Sequence, residues 1–529
     1  MNAKTYYITT PIYYVNDVPH IGHAYTSLAC DVMARFMRLD GYDVHFLTGT
    51  DEHGQKVEKA ATTAGMTPQA FTDQVSQSFR DLVPKMGYSP DNFIRTTEPR
   101  HYRSCQALWE KLIAAGDIYL GKYAGWYSVR DETYFAESET EVGPDGKRRA
   151  IATGADVDWV EEASYFFRLS AWQDRLLDLY ASNPRFIAPD SRRNEVISFV
   201  KSGLQDLSVS RTTFKWGVPV PNDSAHIMYV WLDALTNYIT EAGYPDPGAP
   251  TAKYWPADLH MVGKDIVRFH AVYWPAFLMA AGVAPPKRVF AHGWWTIEGQ
   301  KMSKSLGNVV APAALVDTYG LDQTRYFLLR EVPFGNDGDF QKRAIVQRMD
   351  SDLANTYGNL CQRVLSMINK NCDGAVPAAG PLQDADRALL DRASALLPQV
   401  RAQIGEQAFH EALITIWEVI GDANRYVDAQ APWALGKTDP ARRDTVLWVL
   451  AEAIRRVTLL VQPFMPTSTA KILDQLAIPA EARGFASFDR ALASGTALPA
   501  PQGVFPRFVD PEAPVRPAAA KPAKVAKKA

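Results

Sequence analysis

The sequence predicts an α/β domain with a parallel sheet, interrupted by an insertion and followed by an all-α helical bundle. Two observations carry this prediction. Strand-like runs alternate with amphipathic stretches through residues 1–320, and from Ser351 onward only helical periodicity remains. The chain has 529 residues, which is too many for one hydrophobic core.

Composition narrows the class of protein. Hydrophobic residues make up 47% of the chain and charged residues 22%, as is typical of globular proteins. A net charge of −3 means that any nucleic-acid contact depends on local patches. The absence of a long apolar run and of a signal peptide favours a cytoplasmic location and no membrane contact. The four cysteines form no CxxC pair, so neither a disulfide framework nor a cysteine zinc site is predicted.

The first strand-to-helix junction carries the strongest local signal. A strand is predicted at 6–10 and a helix at 24–39, with His20-Ile21-Gly22-His23 between them. We call His20–His23 the histidine turn. Residues three apart share a helix face, and a helix N-terminus attracts phosphate. Gly22 leaves room for a nucleotide to approach the backbone. Alone, this motif is weak evidence for a nucleotide site, since a histidine pair can also bind metal.

The next segment completes the first half of the sheet. A strand is predicted at 43–48, followed by the polar loop 49–54 and by helices starting at Gln55 and Pro68. Ligands of open α/β sheets bind at the carboxyl ends of the strands. Asp51 in this loop either caps the next helix or holds an ammonium group, and its position beside the histidine turn favours the second role.

The pattern breaks at about residue 116 and resumes at about 226. The sheet is predicted to continue with strands at 226–230, 259–262 and 288–291. A second basic motif, Lys301-Met302-Ser303-Lys304-Ser305, follows the last of these strands. Alone it reads as a solvated basic loop, but with a histidine turn upstream it suits a clamp on a triphosphate.

The remainder of the chain is predicted to be helical. Residues 321–350 form a connector, and apolar stripes such as Leu353, Tyr357, Leu360 and Val364 predict a bundle. The lysine-containing end of the chain, 516–529, is predicted to be a disordered tail.

The two motifs together resemble the paired HIGH and KMSKS signature of class I aminoacyl-tRNA synthetases. Further stretches are similar to the methionyl-tRNA synthetase family over about residues 4–480. These stretches are Thr10–Tyr14, Thr48–Gly54, Trp231–Tyr238, Gly263–Ile266 and Asn355–Arg363. The resemblance implies ATP-dependent ligation of L-methionine to tRNA(Met) through methionyl-adenylate.

The resemblance also implies a domain plan. It consists of a Rossmann-like catalytic domain in two halves, 1–115 and 226–320, a connective-peptide insertion at 116–225, a stem-contact connector at 321–350, an anticodon-binding bundle at 351–515 and the tail at 516–529. Relatives often carry CxxC zinc knuckles in the insertion. Ser128 and Asp131 stand where the first pair would fall, so no zinc is expected.

Site residues follow from the matching motifs. The catalytic set implied is His20, His23, Lys301 and Lys304. The ATP-binding set adds Gly22, Gly263, Lys264, Asp265, Ile266, Met302, Ser303 and Ser305. The methionine-binding set is Ile12, Tyr14, Asp51, Trp231, Ala234, Leu235, Tyr238 and His292. The anticodon-binding set is Asn359, Arg363 and Trp433.

Asn359 and Arg363 lie four apart on a predicted helix, and Trp433 follows Pro432 in a break between helices. An exposed tryptophan can stack on an unpaired base, but Trp433 can equally close the bundle as a buried residue. The expected substrates are ATP with Mg²⁺, L-methionine and tRNA(Met). A monomer without an obligate protein partner is expected, since no dimerisation domain follows the bundle.

Two other classes of protein fit the sequence less well. A nucleotidyltransferase that does not act on tRNA would not need the helical third of the chain. A non-catalytic tRNA-binding protein would be expected to have lost the histidines or the lysines, and all four are present. Among synthetases, the cysteine enzyme would want zinc ligands, and those for isoleucine, leucine and valine carry a large editing insertion for which the chain has no room.

Overall fold

The computed structural model describes residues 4–15, 18–131, 133–302 and 308–510. Its strands, in chain order, are β1 Thr5–Thr9, β2 Tyr13–Tyr14, β3 Asp43–Asp51, β4 Asn92–Arg95, β5 Ile118–Ser128, β6 Thr133–Phe135, β7 Thr140–Val142, β8 Arg148–Ala150, β9 Asp158–Phe167, β10 Ile187–Ala188, β11 Leu207–Ser208, β12 Ser210–Arg211, β13 Pro219–Val220, β14 Asp223–Met228, β15 Leu259–Gly263, β16 Val289–His292, β17 Trp295–Ile297, β18 Gln300–Lys301 and β19 Gly338–Phe340.

The helices, in chain order, are α1 Ile21–Leu39, α2 Gln55–Thr63, α3 Pro68–Lys85, α4 Pro99–Ala114, α5 Gln173–Ser182, α6 Asp190–Lys201, α7 Val230–Glu241, α8 Trp274–Ala280, α9 Pro312–Tyr319, α10 Leu321–Arg330, α11 Lys342–Gln347, α12 Asn359–Asn371, α13 Asp384–Ser394, α14 Leu396–Gly405, α15 Phe409–Gln430, α16 Pro432–Thr438, α17 Pro440–Val461 and α18 Pro466–Gln475. Two π-helical segments, 269–273 and 348–358, lead directly into α8 and α12.

The main sheet confirms the predicted parallel α/β core. Its strands lie in the order β10–β16–β15–β1–β3–β2, and β4 also pairs with β3. All pairings are parallel. The carboxyl ends of β1, β3 and β15 therefore meet at one edge, next to the start of α1. This edge carries the histidine turn, Asp51 and Gly263.

One strand prediction is wrong. The segment predicted at 226–230 is β14, which pairs antiparallel with β12 and β13 in a separate small sheet. Its partners lie within 20 residues in sequence, and antiparallel pairing needs only short connections, whereas a parallel pairing needs a long crossover. The strands that rejoin the main sheet are β10, β15 and β16.

The predicted insertion at 116–225 is not uniform. Residues 118–167 leave the main sheet as a long antiparallel pair, β5 with β9, flanked by β6 and β11. The segment α5–β10–α6 rejoins the main sheet, because β10 pairs with β16. Ile187 and Ala188 are buried, as expected of a strand covered on both faces.

Helix α1 lies between the sheet and the helical domain. Phe36 of α1 packs against Phe485, with the ring centroids 4.8 Å apart. Asp31, also on α1, forms a buried ion pair with Arg325 of α10 at 2.7 Å. Arg325 donates further hydrogen bonds to the carbonyls of Pro463 and Phe464, which follow α17. The helix that begins at the histidine turn is thus anchored in the bundle.

The all-α prediction for the last third is confirmed. Helices α12 to α18 surround a core in which α15 and α17 are the central pair. Among the described residues, no helix combines the length and apolar character needed to cross a membrane. The predicted tail at 516–529 lies outside the described residues.

Candidate functional site

The histidine turn presents two neighbouring hydrogen-bond donors. His20 is the N-cap of α1, and its Nδ1 accepts a hydrogen bond from the backbone N–H of Gly22. The Nδ1 of His23 accepts from the backbone N–H of His20, and the two rings stack with centroids 3.9 Å apart. Because a neutral imidazole carries its proton on the other nitrogen, both Nε2 atoms are N–H donors. They lie at a helix N-terminus, which favours anions.

Electrostatics keep His23 neutral. Burial lowers the pKa of its imidazole well below the ordinary value, and the adjacent His20 lowers it further. His23 therefore acts through an N–H dipole and not through a formal charge at pH 7. Such a preorganised donor gains in strength as negative charge grows on a bound phosphate.

Gly22 is needed by the histidine turn itself. A Cβ atom there would lie 2.9 Å from Cε1 of His20 and 3.1 Å from its Nδ1. The ring of His20 therefore occupies the space that a side chain at position 22 would need. The absence of a side chain, predicted to make room for nucleotide, is first a condition for placing His20.

Asp51 lies at the carboxyl end of β3, where it is 7% exposed and pairs in register with Tyr14 of β2. The loop after it is held tightly. The carboxylate of Glu52 receives two hydrogen bonds from Arg95, at 2.7 and 2.9 Å. Trp216 donates its indole N–H to the carbonyl of Glu52 at 2.5 Å. Asp51 therefore occupies a fixed position at the sheet edge that also carries the histidine turn.

Helix α7 carries four of the residues predicted to bind methionine. Ala234, Leu235 and Tyr238 are buried on it. Trp231 stacks on Phe269, with centroids 3.5 Å apart and planes 11° apart. Tyr238 donates its hydroxyl hydrogen bond to Nε2 of His270 at 2.7 Å, because Nδ1–H of His270 is directed to the carbonyl of Ile266.

Phe269 and His270 were missed by the sequence prediction. They follow Gly263–Ile266 by three and four residues, and the polar His270 interrupts an apolar run that includes Trp274. That interruption was the available signal. Burial lowers the pKa of His270 to about 4, so its ring is neutral at pH 7. Ile12, Ile266 and Phe269 each pack against the core cluster that contains Tyr238.

His292, which is predicted to bind methionine, lies against α1. It is the last residue of β16, and its Nε2 accepts a hydrogen bond from the hydroxyl of Thr26 at 2.7 Å. Its ring contacts Tyr25 edge-on at 5.3 Å. The side chain thus turns toward α1, where Thr26 offers a donor, whereas the contacts of Tyr238 are with His260 and His270.

Three of the predicted nucleotide-binding residues contact Trp294. Its indole N–H donates to Asp265 at 3.3 Å, and the ring contacts the ammonium groups of Lys264 and Lys301 at 4.5 and 5.5 Å from its centroid. Lys264 also pairs with Asp337 at 2.6 Å. Two of the predicted cations therefore converge at one site. Met302 packs against the core, and Ser303, Lys304 and Ser305 lie outside the described residues.

The structure brings two of the three predicted anticodon residues into contact. The guanidinium of Arg363 lies 5.6 Å from the ring centroid of Trp433 and pairs with Asp428 at 2.9 Å. Trp433 is 56% exposed, which contradicts a role in closing the bundle. Asn359 is exposed one helical turn before Arg363. We call Asn359, Arg363 and Trp433 the Trp433 surface.

The turn at Ser128 and Asp131 is held by hydrogen bonds. The backbone N–H of Asp131 donates to Oγ of the buried Ser128 at 3.2 Å, and the hydroxyl of Thr153 donates to the Asp131 carboxylate at 2.5 Å. Within the described ranges, one group of potential metal ligands is found elsewhere, at His101, Cys105 and Asp233.

Together these observations define a class of protein. A parallel sheet with a histidine turn at its first strand-to-helix junction, a lysine loop beyond its last strand and a following helical domain is the arrangement of a class I aminoacyl-tRNA synthetase. The family model described as "tRNA synthetases class I (M)" matches residues 6–365, and that of the "Anticodon binding domain of methionyl tRNA ligase" matches residues 376–514. The chain belongs to the methionyl-tRNA synthetase family.

Full-length relatives agree with this assignment. A methionine–tRNA ligase of Mesorhizobium japonicum is 62% identical over 512 residues, which cover 96% of this chain and 99% of the relative. The structure of Mycobacterium tuberculosis methionyl-tRNA synthetase in complex with methionyl-adenylate is 56% identical, with a TM-score of 0.93 over 95% of this chain and all of that one. The apo form from the same organism has a TM-score of 0.88 and 53% identity, over 96% of this chain and 99% of that one.

Proposed function

We propose that this chain joins L-methionine to tRNA(Met) in two steps, with the site residues in the roles described below. First, a methionine carboxylate oxygen attacks the α-phosphorus of ATP, the bond to the bridging oxygen breaks and pyrophosphate leaves. Then a terminal ribose hydroxyl of tRNA attacks the methionyl carbonyl and AMP leaves. The observation that carries the proposal is the stacked pair of Nε2–H donors in the histidine turn.

The phosphates would bind between two groups of donors. The histidine turn offers neutral N–H groups at the start of α1, and Lys264 and Lys301 offer positive charge beside Trp294. Asp265, held by the Trp294 indole, is suited to accept hydrogen bonds from the ribose hydroxyls. No side-chain nucleophile is required, because catalysis consists of positioning and of charge stabilisation. ATP enters as its Mg²⁺ complex, so Mg²⁺ belongs to the substrate, and we propose that no zinc is needed.

The methionine side chain would lie against α7. The stacked rings of Trp231 and Phe269 and the hydroxyl of Tyr238 form an aromatic wall that suits a polarizable thioether. Asp51, at the carboxyl end of β3, is placed to hold the α-ammonium group. His270, which is neutral and fixed through both ring nitrogens, joins this set in place of His292.

The tRNA anticodon would bind at the Trp433 surface. A half-exposed indole can stack on an unpaired base, and Arg363 and Asn359 can read base edges. We also propose that the chain acts in the cytoplasm as a monomer.

The decisive test has two assays. ATP–pyrophosphate exchange across the twenty amino acids should show activation of methionine far above the others. Charging of tRNA(Met) transcripts should depend on an intact CAU anticodon. Exchange with a different amino acid as the preferred substrate would overturn the assignment of the pocket, and charging that ignores the anticodon would overturn the role of the Trp433 surface.

A further inference from the structure

A buried carboxylate joins the two elements that carry the predicted methionine ligands. Asp233, in the first turn of α7, is fully buried. Its Oδ2 lies 2.6 Å from Nδ1 of His53, and its Oδ1 lies 2.7 Å from Nε2 of His101. Each carboxylate oxygen thus has one imidazole partner. Both histidines are themselves buried, so the group is closed to solvent.

The distances identify these contacts as hydrogen bonds and not as metal coordination. His101, Cys105 and Asp233 offer ligand atoms within 4.8 Å of one another. Two ligands at zinc–ligand distances of about 2.0–2.1 Å and tetrahedral angles would lie about 3.3 Å apart. The separations at Asp233 are 2.6 and 2.7 Å, which is too short for that geometry. Burial also raises the pKa of the Cys105 thiol, which opposes thiolate formation.

The sequence positions of the partners link this group to the pocket. His53 lies two residues after Asp51, on the loop that follows β3. Asp233 lies two residues after Trp231 and directly before Ala234. The second nitrogen of His53 contacts the hydroxyl of Tyr102 on α4 at 3.0 Å, and His101 is also on α4. The loop that follows Asp51, the start of α7 and helix α4 therefore meet at one carboxylate.

We propose that Asp233 is a positioning residue for methionine recognition, which fixes the distance between the ammonium site at Asp51 and the aromatic wall at Trp231 by holding His53 and His101. The proposal rests on the function proposed above. Asp233 touches no substrate in it. Its two oxygens fix the position of the loop after β3 relative to helix α7.

The charge of Asp233 is maintained by its partners. Burial by itself would raise the pKa of the carboxyl group, but the two imidazoles, His53 foremost, lower the pKa to about 2. An ionised carboxylate is an acceptor at both oxygens, whereas an amide accepts at one and donates at the other. Asp233→Asn keeps the size of the side chain but removes its charge and replaces one of its two acceptors with a donor, so it tests whether two acceptors are needed to hold His53 and His101.

Helix α7 also offers a matched control. Glu241, at its other end, is 3% exposed and binds His45, Asn92 and Arg100 at 2.7, 2.8 and 2.9 Å. Glu241→Gln removes a comparable buried carboxylate eight residues away from Asp233. Both variants lower stability by breaking buried polar contacts. Only Asp233→Asn should change methionine recognition.

The experiment measures ATP–pyrophosphate exchange with methionine and ATP varied separately. Asp233→Asn should raise KM for methionine about tenfold, while kcat and KM for ATP stay within about twofold. Glu241→Gln should leave all three within about twofold. His53→Asn places an amide N–H where Nδ1 was, so it should rescue most of the KM increase that His53→Ala produces.

Several results would overturn the positioning role. One is an unchanged KM for methionine in Asp233→Asn, and another is an equal rise in KM for ATP. If Asp233→Asn does not fold, failure of His53→Asn to improve on His53→Ala would contradict the proposal. These outcomes differ from failure of the proposed function, in which the unaltered chain itself would not activate methionine.

Discussion

The histidine turn and the Trp433 surface both present aromatic side chains to a nucleotide, but the chain holds them in opposite ways. His20 and His23 are fixed through their Nδ1 atoms by backbone N–H groups and by stacking on each other. Trp433 is 56% exposed and is accompanied by a partly exposed ion pair between Arg363 and Asp428. The first site is built before substrate arrives, as charge stabilisation requires.

The second site is open because an unpaired base must reach both the indole face and the hydrogen-bonding groups. Because one site is fixed and the other is open, mutations in the two regions are expected to have different effects. Changes in the catalytic half should alter the chemistry of adenylate formation, and changes at the Trp433 surface should alter tRNA binding alone. The experiments that follow can sharpen or break this division.

The largest effect is expected from acid. In the catalytic half, His260, His270 and His292 are buried and His23 is half-buried, and desolvation lowers the pKa of each. The helical domain contains one histidine, His410. An unfolded chain, with an ordinary histidine pKa near 6.5, takes up protons first, so the free energy of unfolding falls as pH decreases below about 6.5.

For His270, the free energy of unfolding falls between pH 6.5 and the folded pKa of about 4, by about 3 kcal/mol in total. Hydrogen exchange at pH 5 and pH 7 should show that β1, β15 and α1 lose protection before α15 and α17. His270→Gln should reduce the dependence of the melting temperature on pH in this interval. Equal loss of protection in both regions would contradict the division.

The next largest effect is expected from the phosphate donors. His23→Ala and Lys301→Ala should each slow adenylate formation about a hundredfold, since one lost donor aimed at developing charge costs on the order of 3 kcal/mol. Methionine binding should change much less. Pre-steady-state adenylate formation and equilibrium methionine binding measure the two quantities. Near-normal rates in both variants would remove these residues from the mechanism.

How far the sequence predicts these regions depends on how local the signals are. Helix α1 and the histidine turn follow from apolar periodicity and from a short motif, and both were predicted. Phe269 and His270 were missed because an apolar aromatic run also describes an ordinary buried helix. The partners of Asp233 could not be predicted, since His53 and His101 are 180 and 132 residues away and their meeting depends on the packing of α4 and α7.

A smaller effect is expected at the Trp433 surface. Stacking on one base contributes roughly 1–3 kcal/mol, so Trp433→Ala should lower the aminoacylation rate by about one to two orders of magnitude. Trp433→Phe retains an aromatic face and should lose less. Exchange of ATP and pyrophosphate should be nearly unchanged in both variants, because Trp433 lies outside the catalytic half. A parallel fall of both activities, together with a lower melting temperature, would show that Trp433 acts through stability of the fold and not through base stacking.

The smallest effect is expected from metal chelation. This experiment tests whether the insertion, like the histidine turn, is stabilised by its own hydrogen bonds and not by a bound metal. Two hydrogen bonds close the turn at Ser128: the Asp131 N–H donates to Ser128 Oγ, and the Thr153 hydroxyl donates to the Asp131 carboxylate. A chelator should therefore leave the melting temperature unchanged, whereas Asp131→Ala should loosen this turn in hydrogen exchange. Asp156→Ala, which removes an exposed partner of Arg149 nearby, is the control and should affect the Ser128 turn less. One tightly held zinc per chain, found by metal analysis, would show that the insertion depends on a metal after all.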